Sequence, residues 1–290
     1  MNPLTVTDVR VHPGDSAFLL DDGTTSILYD SGFGFTGFGV ADNICRQLGD
    51  RKLDYIFLTH SHYDHALGSA CITQRYPNVK AAAGQYAADV FSRPGALKVM
   101  AELDEKIARR CGAEEYTFPG EGLRVDIPLS DGDVITAGGI TFEAIALPGH
   151  TRCSMGFYCR ERFLLLSCET LGVFDGRQTI APAYLTGYQT ALDSIERVRQ
   201  LDIRQMISPH MGLMNEEQTA WFLAHAADAA RDAAQRICCL LEQDASEEDI
   251  FADYMERYVR GRFEDIYPVD AARLNVSIMT KLIGKELLGK

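Results

Sequence analysis

The stretch Thr59-His60-Ser61-His62-Tyr63-Asp64-His65 places three imidazoles and a carboxylate directly after the apolar run Tyr55-Ile56-Phe57-Leu58. Imidazole with carboxylate suits borderline divalent ions such as zinc, iron(II) and manganese. If the apolar run is a strand, alternation with period two brings His60 and His62 out on one side of it. Asp64 and His65 then fall in the turn beyond, within reach of a second ion. The pattern H-x-H-x-D-H reads as two adjacent metal sites built from one strand-end loop. A chance cluster is the alternative, since the chain's seven histidines must fall somewhere.

Three downstream features weigh against chance. Leu147-Pro148-Gly149-His150-Thr151 sets a histidine in a Pro-Gly turn after an apolar run. Phe163-Leu164-Leu165-Leu166-Ser167-Cys168-Glu169-Thr170 ends a strand-like run on a carboxylate, and Met206-Ile207-Ser208-Pro209-His210 ends another on a histidine. Four separate strand ends therefore each deliver a ligand.

With these motifs in view, the sequence resembles the metallo-β-lactamase superfamily over roughly residues 1–215. The resemblance includes Tyr29-Asp30-Ser31-Gly32, the loop at 60–65, Ser130-Asp131-Gly132-Asp133 and Pro148-Gly149-His150-Thr151. It implies an α/β fold, an αββα sandwich with a two-metal site along one edge. It also implies that His60, His62 and His150 hold one ion and Asp64, His65 and His210 the other. Glu169 falls at the bridging position, where the family usually has aspartate. Two divalent ions, zinc, iron or manganese, are the implied cofactors.

Composition narrows the function. A chain of 290 residues with 46% hydrophobic content suits one large domain or a domain with an appendage. The start Met1-Asn2-Pro3-Leu4 carries no basic, apolar leader, and no apolar run approaches the roughly 20 residues of a membrane span. Eight scattered cysteines without a C-x-x-C pair read as reduced thiols, so the expected location is cytoplasmic and no membrane is involved. A net charge of −13 disfavours nucleic acid as a partner, because phosphates call for a cationic surface. A small-molecule substrate is expected. The oligomeric state is left open, a homodimer included.

Along the chain, Ala17–Leu20 and Ser26–Tyr29 flank Asp21-Asp22-Gly23-Thr24, a hairpin signal. Helices are expected over 40–48 and 66–76, with strands over 53–58 and 78–83. Strands interleaved with helices indicate layered α/β architecture. Leu97, Met100, Leu103 and Ile107 have helical spacing, which predicts a helical insertion at about 95–112. It is either a surface helix or a lid beside the metal edge. Antiparallel strands are expected between Leu123 and His150, and a hairpin over 155–166. Residues 1–214 form the αββα domain in this reading. Residues 215–290, with helices at 215–242, 246–261 and 268–288, form a C-terminal helical extension packed on the core. Ser246-Glu247-Glu248-Asp249 is a helix start with a serine cap and acids in the first turn.

The expected activity is metal-dependent hydrolysis, in which a metal-bridging hydroxide attacks a small-molecule thioester or ester. Asp64 would be both ligand and proton acceptor. Asp30 would either support a ligating imidazole through its other nitrogen or cap the turn beside Gly32. Cys168 should point away from its neighbour Glu169. The long tail and the 95–112 helix resemble thioesterases of the superfamily, of the glyoxalase II and quinolone-signal response types. Val173 lies where the latter can carry a polar active-site residue, so that substrate does not transfer. Phe174, Tyr184, Leu185 and Tyr188 either line an acyl pocket or belong to the core. Two other functions stand open: a mononuclear-iron relative that oxidises sulfur compounds, and a regulatory protein acting through protein contacts with a residual metal site.

Overall fold

The computed structural model describes residues 2–259, 263, 266 and 269–290. The chain forms two compact units, Met1–Ala146 with Met155–Arg162, and Leu147–Ser154 with Phe163–Lys290.

The first unit is built on a six-stranded sheet in the order β1 (Thr5–Asp8), β2 (Phe18–Asp21), β3 (Ser26–Tyr29), β4 (Tyr55–Leu58), β5 (Lys80–Gly84) and β6 (Ile127–Leu129). The expected hairpin joins β2 to β3, with Phe18 opposite Tyr29. The Asp22 carboxylate accepts the Thr24 and Thr25 amides, and Gly23 supplies the positive φ of the turn. From β3 onward the strands run parallel. Parallel neighbours need crossovers, supplied by α1 (Gly37–Leu48), by α2 (Tyr63–Ala66) with α3 (Gly68–Arg75), and by α4 (Gln85–Phe91) with α5 (Pro94–Arg110).

Three expectations are corrected here. Residues 66–76 do not form one helix: α2 ends at Ala66 and α3 starts at Gly68. The reason is tertiary. A Cβ on Gly68 would lie 1.9 Å from the Ser31 carbonyl oxygen, and the Gly68 amide donates to Gly32 O at 3.0 Å. The strand β6 is parallel to β5 and not antiparallel, because the two helices between them return the chain to the same edge. Asp64 and His65 lie in the helix α2 and not in a turn.

The helix α5 carries its expected stripe at Met100 and Ile107, with the fully buried Asp104 inside it. Strands β7 (Val134–Ala137), β8 (Ile140–Ala146) and β9 (Met155–Cys159) pair antiparallel in that order. Phe57 of β4 meets Phe142 of β8 at 5.3 Å and Phe157 of β9 at 4.7 Å, so strands pack on strands within this unit.

The second unit contains β10 (Leu164–Leu166), β11 (Val173–Phe174), β12 (Ile180–Ala181), α6 (Tyr188–Arg199), β13 (Gln205–Ser208), β14 (Gly212–Met214), α7 (Glu216–Glu242), α8 (Glu247–Tyr258) and α9 (Val269–Leu287). β10 and β13 are parallel, and β13 turns antiparallel into β14. Capping boxes start α7 at Asn215 and α8 at Ser246. The face of α7 carrying Phe222, Ala226, Ala230, Ala233 and Ile237 is buried, and the helix contacts α6, β12, β13 and β14. Positions 260, 261 and 268 of the expected tail helices lie outside the described residues. Among those described, no helix is long and apolar enough to cross a membrane.

Candidate metal centre

In the first unit the ligand candidates follow the C-terminal end of β4, where parallel sheets generally present their sites. His60 is fully buried and His62 is half-buried in extended backbone. The His60 ring lies 4.6 Å from that of His62 and 4.1 Å from that of His65. Ligand atoms of His60 and His62 lie within 4.8 Å of each other, as do those of Asp64 and His65. The Ser31 amide and hydroxyl donate to His65 O at 2.7 and 2.8 Å, which holds α2 against the end of β3.

Asp30 organises this half. It is fully buried with φ of +51°, a backbone region aspartate tolerates better than most residues. Its Oδ2 accepts His65 Nδ1 at 2.8 Å and Ser16 Oγ at 2.9 Å, and its Oδ1 accepts the Thr59 amide at 2.8 Å. Thr59 Oγ1 also donates to this carboxylate, at 3.0 Å to Oδ1. A hydroxyl has one proton. Thr59 Oγ1 must therefore accept from His60 Nδ1, 3.0 Å away. In the neutral rings both His60 and His65 then carry the proton on Nδ1 and the lone pair on Nε2. One carboxylate sets two tautomers, one directly and one through Thr59.

In the second unit His150 follows Gly149, whose φ of +143° and close approach to Ala191 demand glycine. Gly149 O accepts the Leu185 and Thr186 amides, each at 2.8 Å. The His150 amide donates to Thr170 Oγ1, which in turn donates to Leu147 O. His150 Nδ1 donates to Ala183 O at 2.7 Å. Glu169 opens a short 3-10 turn after β10, and His210 sits in the β13–β14 turn with φ of +60°. The Glu169 carboxylate is 3% exposed, with Oε2 2.7 Å from His150 Nε2 and Oε1 3.1 Å from His210 Nε2.

The contact between His150 and Glu169 tests whether a metal fits. With Nδ1 donating to Ala183, the neutral ring turns its Nε2 lone pair toward a carboxylate oxygen. Two lone pairs at that separation repel unless a cation, proton or metal ion, lies at the nitrogen. The imidazole and carboxylate donors of both halves suit zinc, iron or manganese, so the residues fit such an ion.

Phe174 is stacked on Trp221 at 5.7 Å and edge-on to Phe222, deep in the second unit. Tyr184 and Tyr188 meet edge-on at 5.3 Å, and burial pushes both phenols above their usual range. Val173 and Cys168 are fully buried. Sequence reasoning missed Thr59, Thr170 and the Ala183 carbonyl. Thr59 had no signal in the sequence, because it is the parallel register of Tyr29 with Phe57 that puts Asp30 beside the end of β4.

The metallo-beta-lactamase superfamily model matches residues 13–210. Glyoxylase B2 of Dictyostelium discoideum is 28% identical over 45% of this chain and 40% of its own length. A ribonuclease Z of Bradyrhizobium sp. (strain ORS 278) is 31% identical over 67% of this chain and 60% of its own. A hydroxyacylglutathione hydrolase of Ectopseudomonas mendocina is 30% identical over 42% of this chain and 35% of its own. The chain thus spans about half the length of these relatives. A metallo-beta-lactamase family protein from Thermus thermophilus superposes with a TM-score of 0.64 at 18% identity, covering 99% of this chain and 93% of that one. That likeness shows the fold: the expected α/β sandwich, with helices at its C-terminal end.

Proposed function

The chain belongs to the metallo-β-lactamase superfamily, and on that premise we propose that it is a metal-dependent hydrolase of a small-molecule thioester or ester. The observation that carries this reading is Glu169, a buried carboxylate with an imidazole Nε2 at each oxygen. In this proposal the two ligand sets serve one centre. His60, His62 and His150 would hold one divalent ion, Asp64, His65 and His210 a second, and Glu169 would lie between them. Ions bound there would activate water near neutral pH and polarise a carbonyl oxygen.

The chain's own groups have distinct tasks. Asp30 and Thr59 aim His65 and His60, and Ala183 O aims His150, which raises ligand basicity. Asp64, with its side chain 22% exposed, would act as ligand and proton acceptor. Tyr184 and Tyr188 are candidates for an apolar wall beside an acyl group, while Phe174 fills the core between Trp221 and Phe222.

Thioester chemistry is supported by the relative named hydroxyacylglutathione hydrolase. The relative named ribonuclease Z brings RNA into consideration, and the net charge of −13 weighs against it. The test is metal-reconstituted protein assayed on acyl-glutathione, acyl-CoA, lactone and RNA substrates. Turnover of an acyl substrate that is lost in His62→Ala supports the reading. Cleavage of RNA alone, or oxidation of a sulfur compound with one bound iron, overturns it.

A further inference from the structure

His150 takes its orientation from the Ala183 carbonyl. Residues 182–184 lie outside any strand, beyond the two-residue pairing of β12 with β11. Pro182 has no amide proton to anchor it. Ala181 and Ala183 are buried and border Tyr254 of the tail. Tyr254 Oη on α8 donates to Pro182 O at 2.6 Å, one peptide away from the carbonyl that accepts His150 Nδ1.

We infer that Tyr254 is a positioning residue for His150, clasping the Pro182–Ala183 segment so that the Ala183 carbonyl fixes the imidazole. The inference rests on the reading of His150 as a metal ligand. Tyr254 is suited to the task. Its ring is 8% exposed and packs at 5.0 Å against Tyr258, whose hydroxyl donates to Asp232 of α7. Burial, with the charge of Glu169 adding to it, pushes the Tyr254 phenol up, so the hydroxyl stays a donor. The helical tail thereby reaches a ligand that lies about a hundred residues earlier in the chain, through two hydrogen bonds and one peptide unit.

Tyr254→Phe removes the hydroxyl and keeps the ring. Tyr258→Phe is the control, since it removes a hydroxyl bond from the same helix without touching residues 182–183. Two quantities are read beside melting temperature. One is solvent exchange of the His150 Nδ1 proton in metal-free protein, its resonance assigned by its loss in His150→Ala. The other is zinc affinity in competition with a chelator. The expected result is faster exchange and roughly tenfold weaker zinc binding in Tyr254→Phe, the scale for losing support behind a ligand. Tyr258→Phe should show neither, even with a similar fall in melting temperature. Equal behaviour of the two variants in both readouts overturns the inference. If Tyr254→Phe fails to fold, 3-fluorotyrosine at 254, a stronger donor, should slow the exchange, and an unchanged rate overturns it. Faster exchange in a protein that never binds metal would leave the clasp standing and remove the hydrolase reading instead.

Discussion

Asp30 Oδ2 lies 2.8 Å from His65 Nδ1, with both side chains fully buried. Together with the Thr59 bonds, this contact makes Asp30 the group on which the loop at 60–65 is aligned. Donors converge on both of its oxygens. In Asp30→Asn, whichever way the amide turns, its NH₂ faces a donor. Metal affinity should fall about ten- to hundredfold. Stability should fall by about 1–3 kcal/mol, the cost of buried donors left unpaired. Isothermal titration with zinc and denaturant unfolding check both. Unchanged affinity would show that Asp30 only shapes the turn.

Gly68 tests the docking of α2. A Cβ there would sit 1.9 Å from Ser31 O and 3.0 Å from Phe33 O, both backbone atoms. Gly68→Ala should cost on the order of 3 kcal/mol or prevent folding, since neither carbonyl can swing aside. Because Ser31 also holds His65 O, any folded fraction should bind metal poorly. A variant with native melting temperature would contradict this packing.

Asp104 predicts a pH dependence of stability. Burial pushes its carboxyl up to about 7, and donation from the Gly34 amide offsets only part of that effect. The folded state therefore keeps the proton to higher pH than the unfolded chain. Stability from this group is fully present below about pH 4 and is lost as pH rises through about 7. Asp104→Asn retains an acceptor for the Gly34 amide and never ionises. Its stability relative to the native chain should rise between pH 4 and 7, by on the order of 3 kcal/mol. Urea unfolding at several pH values measures the difference. A constant difference would mean that Asp104 titrates as an ordinary carboxyl.

The tail should not be separable. Ending the chain at residue 214 strips α7 from β12, β13, β14 and α6 and uncovers the apolar surface beneath Phe222 and Ile237. The fragment should be insoluble or strongly destabilised. A soluble fragment with an unchanged melting temperature would make residues 215–290 an independent module.

Much of this arrangement is legible in the sequence because it is local. The hairpin at 21–24 is written in Asp and Gly, and the α8 cap in Ser246 and Asp249. Glu169 and His210 follow apolar runs that do become strands. The failures are long-range. The break at Leu67 arises from the approach of Gly68 to Ser31, which no local pattern encodes. The direction of β6 depends on the crossover before it, and the short helix α4 within that crossover carries no clear local signal. Asp104 sits inside an apolar stripe, where spacing alone gives no warning of a buried carboxyl. The relay from Asp30 through Thr59 to His60 becomes visible only once β3 and β4 are paired.

The central claim is that Glu169 joins two ligand sets into one two-metal centre, and metal stoichiometry tests it most directly. Elemental analysis of reconstituted protein should find about two ions per chain, the number used in two-metal hydrolysis. Glu169→Gln keeps the size of the side chain and removes one negative charge, so ion–ion repulsion is less offset. Its content should fall to about one ion with the fold intact. A native chain that is fully folded yet metal-free after reconstitution, or a Glu169→Gln variant that keeps both ions, would contradict the account.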